Sequence, residues 1–149
     1  MSNLAKIKKP ALRFVLSQMF LLALIPLFCS FWPFTGEEGT VMRVNTTATT
    51  NKGVPFYIYV KEVEKGEFLR HEYQQIVHEA FTENPKIQPF VIFPGDNYEF
   101  TVAREQSEKP LGIYVLYTNP GDDWKMIANG STRVTIELGD TEILSASIR

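Results

Sequence analysis

Cysteine and histidine are scarce in this chain: one cysteine, Cys29, and two histidines, His71 and His78, in 149 residues. A lone cysteine excludes an internal disulfide. So few thiol and imidazole groups leave little from which to build a metal centre or a Cys–His nucleophile. There is no Gly-x-Ser-x-Gly elbow and no phosphate-cradling glycine-rich loop with a lysine. Internal repeats and low-complexity tracts are also missing, which excludes solenoids and disordered tails. Acidic residues are absent from positions 1–29, where Lys6, Lys8, Lys9 and Arg13 stand alone. The rest of the chain therefore holds 11 of the 15 basic residues and all 17 acidic ones, a net charge of −6. An acidic body argues against nucleic acid or an anionic membrane surface as the main partner. Neither catalytic residues nor a cofactor nor a metal is expected, and the chain reads as a non-enzyme.

What is present begins with one long apolar run. Lys6 to Arg13 is basic, Phe14 to Phe28 is almost wholly apolar, and Cys29 follows. This is the layout of an export signal, and the cysteine at its end suits a lipoprotein signal with lipid on Cys29. Lipoprotein signals favour a small residue before the cysteine, whereas Phe28 stands here. The stretch Phe14 to Phe34 spans 21 residues, enough for an uncleaved inner-membrane anchor as the alternative. Residues 1–28 are thus expected to be an export signal, 29–39 a tether, and 40–149 the folded body. Within the tether, Phe31-Trp-Pro-Phe suits a headgroup interface and Thr35 to Gly39 is polar and flexible.

The body is rich in period-2 alternation. Thr40 to Asn45, Phe56 to Lys61, Asn97 to Val102, Arg133 to Leu138 and Glu142 to Ile148 each alternate, the mark of half-buried strands. Trp124 to Ile127 adds a short strand. Three runs between Pro89 and Tyr117, separated by Pro94-Gly95-Asp96-Asn97 and a charged bend, describe a β-meander. Its last run, Ile113 to Tyr117, is apolar or aromatic at every position, as for a strand covered on both faces. Between the second and third strands the period changes. Leu69, Tyr73, Ile76, Val77 and Ala80 share one face at helical spacing, predicting a helix over Phe68–Phe81 that ends before Asn84-Pro85. The fold class is all-β: a two-sheet, transthyretin-like β-sandwich of seven or eight strands with one short helical insertion after the second. Its core should include Phe56, Ile58, Phe100, Val102, Ile113, Val115, Val134 and Ile136.

Two clusters invite a chemical reading. His71 and His78, with Glu72 and Glu79, would share one side of that helix, and such a set can bind zinc. Solvated helix-face residues are the ordinary reading. Asp96, Asp122 and Asp123 fit no twelve-residue calcium loop and are expected to be turn residues.

The order of these parts resembles the TssJ family of outer-membrane lipoproteins from type VI secretion systems, over residues 41–143. Val54-Pro55-Phe-Tyr-Ile-Tyr-Val-Lys-Glu-Val63 is similar to the family's second strand, and the helical segment falls at its insertion. Phe93-Pro-Gly-Asp96 resembles its Pro-Gly-Glu turn, and Leu111-Gly-Ile-Tyr-Val115 its Leu-Gly-Val strand. Trp124-Lys125 stands at its Trp-Arg, and Val134 to Ile143 at its last hairpin. The resemblance implies an outer-membrane lipoprotein on the periplasmic face that anchors the secretion complex by binding the periplasmic C-terminal region of a TssM-like inner-membrane protein. It also implies a partner surface on the loop between the first two strands, here Thr50, Asn51, Lys52, Gly53 and Val54, with Tyr57 or Tyr59 supplying an aromatic anchor. From the residues alone the same loop reads equally as a plain turn around Gly53. A periplasmic small-ligand carrier and a signal-anchored adaptor of another envelope machine remain the alternatives.

Overall fold

The computed structural model describes residues 39–82, 88–106, 108–130 and 132–149. The export signal, Cys29, nearly all of the tether and the Asn84-Pro85 helix stop lie outside the described residues. Among the described residues eight strands form: β1 (Gly39–Asn45), β2 (Phe56–Glu62), β3 (Phe90–Ile92), β4 (Asn97–Ala103), β5 (Leu111–Leu116), β6 (Lys125–Ala128), β7 (Arg133–Leu138) and β8 (Ile143–Ile148). They make two four-stranded sheets, A in the order β4-β1-β7-β8 and B in the order β3-β2-β5-β6. All pairings are antiparallel except that of β1 with β7. The fold is the mostly-β two-sheet sandwich expected from the alternation.

Alternation decides which side chains line the space between the sheets. Met42 and Val44 from β1, Phe56, Ile58 and Val60 from β2, Ile113 and Val115 from β5, and Val134, Ile136 and Leu138 from β7 are all buried. Each such side chain contributes about 1.5–3 kcal/mol relative to exposure. Along β5 every residue is buried, as the unbroken apolar run predicted. Its odd positions face the core, and Tyr114 on its other face is covered by helical side chains, Phe68 among them.

Three expectations need correction. The runs from Pro89 to Tyr117 are not a meander, because β3 and β5 belong to sheet B and β4 to sheet A. Period-2 alternation is identical whichever sheet a strand joins, so pattern alone cannot assign the partner. The Pro94-Gly95 corner, with Gly95 at φ 95°, carries the chain across the sandwich. There Phe90 and Phe100 stack 3.9 Å apart and bridge the two edges. That stack leaves Phe100 half-buried, and Val102 likewise, while the other six expected core residues are fully buried.

The helical insertion is broken in two: α1 (Lys65–Arg70) and α2 (Tyr73–Thr82). His71 adopts φ −62°, ψ 126°, an extended conformation that ends the first helix. The break rotates the register, so Phe68 is buried while Leu69, expected inside, is 67% exposed. Lys125 on β6 stabilises the break. Its Nζ donates to the carbonyls of Phe68 (3.0 Å), Leu69 (3.4 Å) and His71 (2.7 Å) around the end of α1, where the Phe68 carbonyl also accepts from the His71 N–H (3.3 Å).

Candidate docking surface

The connection between β1 and β2 is locked from several sides. Thr50 is fully buried; its hydroxyl accepts from the Thr47 N–H (2.9 Å) and donates to the Leu138 carbonyl at the end of β7 (3.0 Å). Asn51 is 2% exposed. Its Nδ2 donates to the Val54 carbonyl (2.8 Å) and to the Thr118 hydroxyl (3.2 Å), while its Oδ1 accepts from the Thr118 N–H (2.9 Å). One step back, the Thr46 hydroxyl accepts from the Gly95 N–H (2.9 Å) and donates to the Asp96 carbonyl (2.7 Å). The loops that follow β1, β3, β5 and β7 are thereby tied together at one end of the sandwich.

Three consecutive left-handed residues result: Asn51 (φ 49°), Lys52 (φ 56°) and Gly53 (φ 75°). Glycine adopts this region freely and asparagine tolerates it, but lysine does not favour it. Such strain persists where surrounding contacts over-determine the backbone, and Asn51 supplies those contacts here. The reading of a plain turn around Gly53 therefore understates the loop. Of the five residues expected to meet a partner, Thr50 and Asn51 point inward and hold the loop. Lys52, Gly53 and Val54 are exposed, Val54 by 47%. Lys52 and Asp140 flank a small depression that Asn51 and Val54 also line.

Of the two tyrosines considered as anchors, only Tyr57 is available. Tyr59 is fully buried beneath α2, and its hydroxyl donates to Glu79 at 3.1 Å. Tyr57 is 36% exposed and meets the edge of Phe81 with ring centroids 5.0 Å apart. Val91 lies opposite Tyr57 across β2 and β3, and Phe93 follows two residues on. Phe81, Val91 and Phe93 are each about half exposed, so the outer face of sheet B carries an apolar patch beside the loop. Sequence reading missed Phe81, Val91 and Phe93, because alternation shows a strand's two faces without showing where a helix stops covering one of them.

The histidines do not come together. His78 is exposed, whereas His71 is buried, with Nδ1 2.7 Å from the Tyr114 hydroxyl and Nε2 3.3 Å from Glu67. With the carboxylate accepting from Nε2–H, Nδ1 accepts from the tyrosine. Burial, and then the Lys61 charge, hold the His71 pKa below its ordinary value. Lys61 is gripped by both oxygens of Glu79 at 2.8 Å. Burial and the Glu79 charge push the Tyr59 and Tyr114 hydroxyls upward, so both stay protonated at neutral pH. This network clamps α1 and α2 onto sheet B. Among the described residues, no group of three or more His, Cys, Asp or Glu side chains is placed to hold a metal ion. Asp96, Asp122 and Asp123 are exposed turn residues, and the Asp123 carbonyl accepts from the Ile143 N–H at 2.8 Å. A cleft of about 560 Å³ opens between the β3 and β4 edges, lined by Val60, Phe90 and Val102 with Lys61, Glu62 and Lys109 among its polar residues.

Comparison with known structures agrees with this architecture. The T6SS lipoprotein TssJ1 from Pseudomonas aeruginosa is similar with a TM-score of 0.61 and 16% identity, over 74% of this chain and 95% of that one. A chain from the structure "T6SS protein TssM C-terminal domain (869-1107) from EAEC" gives a TM-score of 0.59 and 13% identity, over 72% and 98%. A chain from a "Type VI membrane complex" gives 0.57 and 11%, over 74% and 97%. At such identities the likeness is one of fold. No curated protein matches the sequence. A family model described as "IglE, N-terminal domain" matches residues 57–138, from β2 through β7. More than half of the chain is covered, and the chain accordingly belongs to the IglE N-terminal domain family.

Proposed function

We propose that this protein is a non-enzymatic component of a type VI secretion membrane complex. In this reading it is held on the periplasmic face of the outer membrane by lipid on Cys29, and it binds the periplasmic C-terminal region of a TssM-like inner-membrane protein. The observation that carries the reading is the sandwich shared with TssJ1 across nearly the whole length of that lipoprotein. The locked loop adds support. A segment already fixed in one conformation loses little entropy on binding, which favours affinity without large area. The contacting residues would be Lys52, Gly53 and Val54, with Tyr57 and Phe81 as the aromatic anchors that dominate interface energetics. Thr50 and Asn51 would act from behind by fixing the backbone.

The test is a pull-down of the body with the candidate TssM periplasmic region, comparing wild type with Lys52→Glu and Val54→Asp. Both positions are exposed, so the variants should fold. Capture by the wild type and its loss in either variant is the expected result. If both variants bind as tightly as wild type, the loop is not the interface. If the wild type itself fails to bind, the TssM reading falls.

A further inference from the structure

Among the described residues, two sheets leave four edge strands, β4, β8, β3 and β6. Exposed edges invite pairing with other strands, and proteins blunt them with charge, proline, short length or a covering element. Three of the four follow this rule. β3 has three residues between Pro89 and Pro94, β6 has four and opens with Lys125, and β4 carries Glu99 at its centre. β8 does not: it reads Ile-Leu-Ser-Ala-Ser-Ile over six residues, without charge or proline. Its one irregularity lies opposite Glu137 and Leu138, so Ser145 to Ile148 pair regularly with β7. Leu144 is 63% and Ile148 44% exposed.

We propose that β8 is a self-complementary edge through which two copies of this chain pair. The strand is nearly symmetric about Ala146. An antiparallel partner centred there sets Ala146 against Ala146, Ser145 against Ser147, and exposed Leu144 against exposed Ile148. The backbone supports this centre. Arg133 and Arg149 exchange N–H···O bonds of 3.0 and 2.9 Å, so by antiparallel alternation Ser147 faces β7 while Ile148 and Ala146 turn their N–H and C=O groups outward. Ala146 and Ile148 register with buried Ile136 and Val134, so their side chains lean to the core side of sheet A. Pairing would run the two cores together along a strip of Leu144, Ala146 and Ile148. Charge agrees as well: at each end, Arg149 of one copy falls beside Glu142 of the other, and both are exposed. A two-fold axis makes every contact occur twice, as an isologous interface requires. Six residues give a strand pair only about 20 Å long and one strand wide (about 5 Å), on the order of 100 Å² of edge against the roughly 800 Å² per partner of a standard interface. The dimer therefore forms where the chain is concentrated and dissociates on dilution.

The test is cysteine crosslinking of the full chain in its native membrane. Ala146→Cys brings two thiols together at the axis, about 5.5 Å between Cα atoms, within disulfide range. Ser147→Cys places them farther apart and on the opposite sheet face. Oxidation should give a covalent dimer, at twice the mass that the same sample shows after reduction, from Ala146→Cys and none from the unmodified chain with Cys29 alone. The Ala146→Cys yield should exceed that of Ser147→Cys about tenfold, given the steep distance limit on disulfides. Adding Leu144→Lys to Ala146→Cys should suppress the crosslink while leaving the urea midpoint in place. Equal yields at 146 and 147 would mean random collision and overturn the proposal. A band of another mass would assign the edge to a different protein's strand, and absence of any crosslink would leave β8 unpaired; either result refutes it.

Discussion

Replacing Asn51 by alanine tests whether one buried side chain holds the β1–β2 loop in its left-handed path. The substitution removes three side-chain hydrogen bonds, to the Val54 carbonyl, the Thr118 hydroxyl and the Thr118 N–H. At roughly 1 kcal/mol net for each, that is about 3 kcal/mol. Alanine at φ 49° adds about 1 kcal/mol of steric cost. The expected loss is therefore about 3–4 kcal/mol, a large part of the ~5–15 kcal/mol stabilising a typical domain. In urea, with a slope of about 2 kcal/mol per molar, the midpoint should fall by roughly 1.5–2 M. Asn51→Gly loses the same bonds without the steric cost, so it should unfold at a midpoint about 0.5 M above Asn51→Ala. The assay is equilibrium unfolding of the body followed by tryptophan fluorescence. A loss below about 1 kcal/mol for Asn51→Ala, or a glycine variant no better than alanine, would refute the account of the loop.

Ile113→Ala, at a fully buried position of β5, should cost about 2–5 kcal/mol, whereas Phe100→Ala at the half-buried edge stack should cost about half of the usual 3–5 kcal/mol for a core phenylalanine. The ranking is checked by their urea midpoints, and the reverse order would mean the β3–β4 edge is packed more tightly than the stack implies. His71 makes stability depend on pH. Its folded pKa lies below the unfolded value of about 6.5, so the unfolded chain binds the extra proton and stability declines as pH falls from there. The loss is complete once pH passes below the folded pKa, and His71→Gln should flatten that slope in midpoints measured between about pH 7 and 5. A slope unchanged in the variant would refute the assignment of the effect to His71. Cys29→Ser should abolish metabolic labelling with a palmitate analogue; unlabelled wild type of full precursor mass would favour the uncleaved anchor.

Alternation, read from the sequence alone, determined the strands and which side chains of β1, β2, β5 and β7 turn inward. A half-buried strand must repeat every two residues, and that signal survives without knowledge of its neighbours. The unbroken apolar run of β5 likewise marked a strand covered on both faces. Pairing was another matter. Two sheets offer each strand an apolar face of the same period, so a meander and a chain that crosses the sandwich look alike until the Pro94-Gly95 corner is seen in space. The insertion's helical period was legible, but its break at His71 was not. That break depends on the Lys125 ammonium reaching the exposed carbonyls from a strand more than fifty residues away. The loop's position was legible too, from polar residues around Gly53. Its inner half was decided by tertiary structure alone, because Thr50 and Asn51 are polar residues whose partners, Leu138 and Thr118, are distant in sequence. A buried polar side chain and a solvated one are the same letter, and only the fold shows which partner it has found.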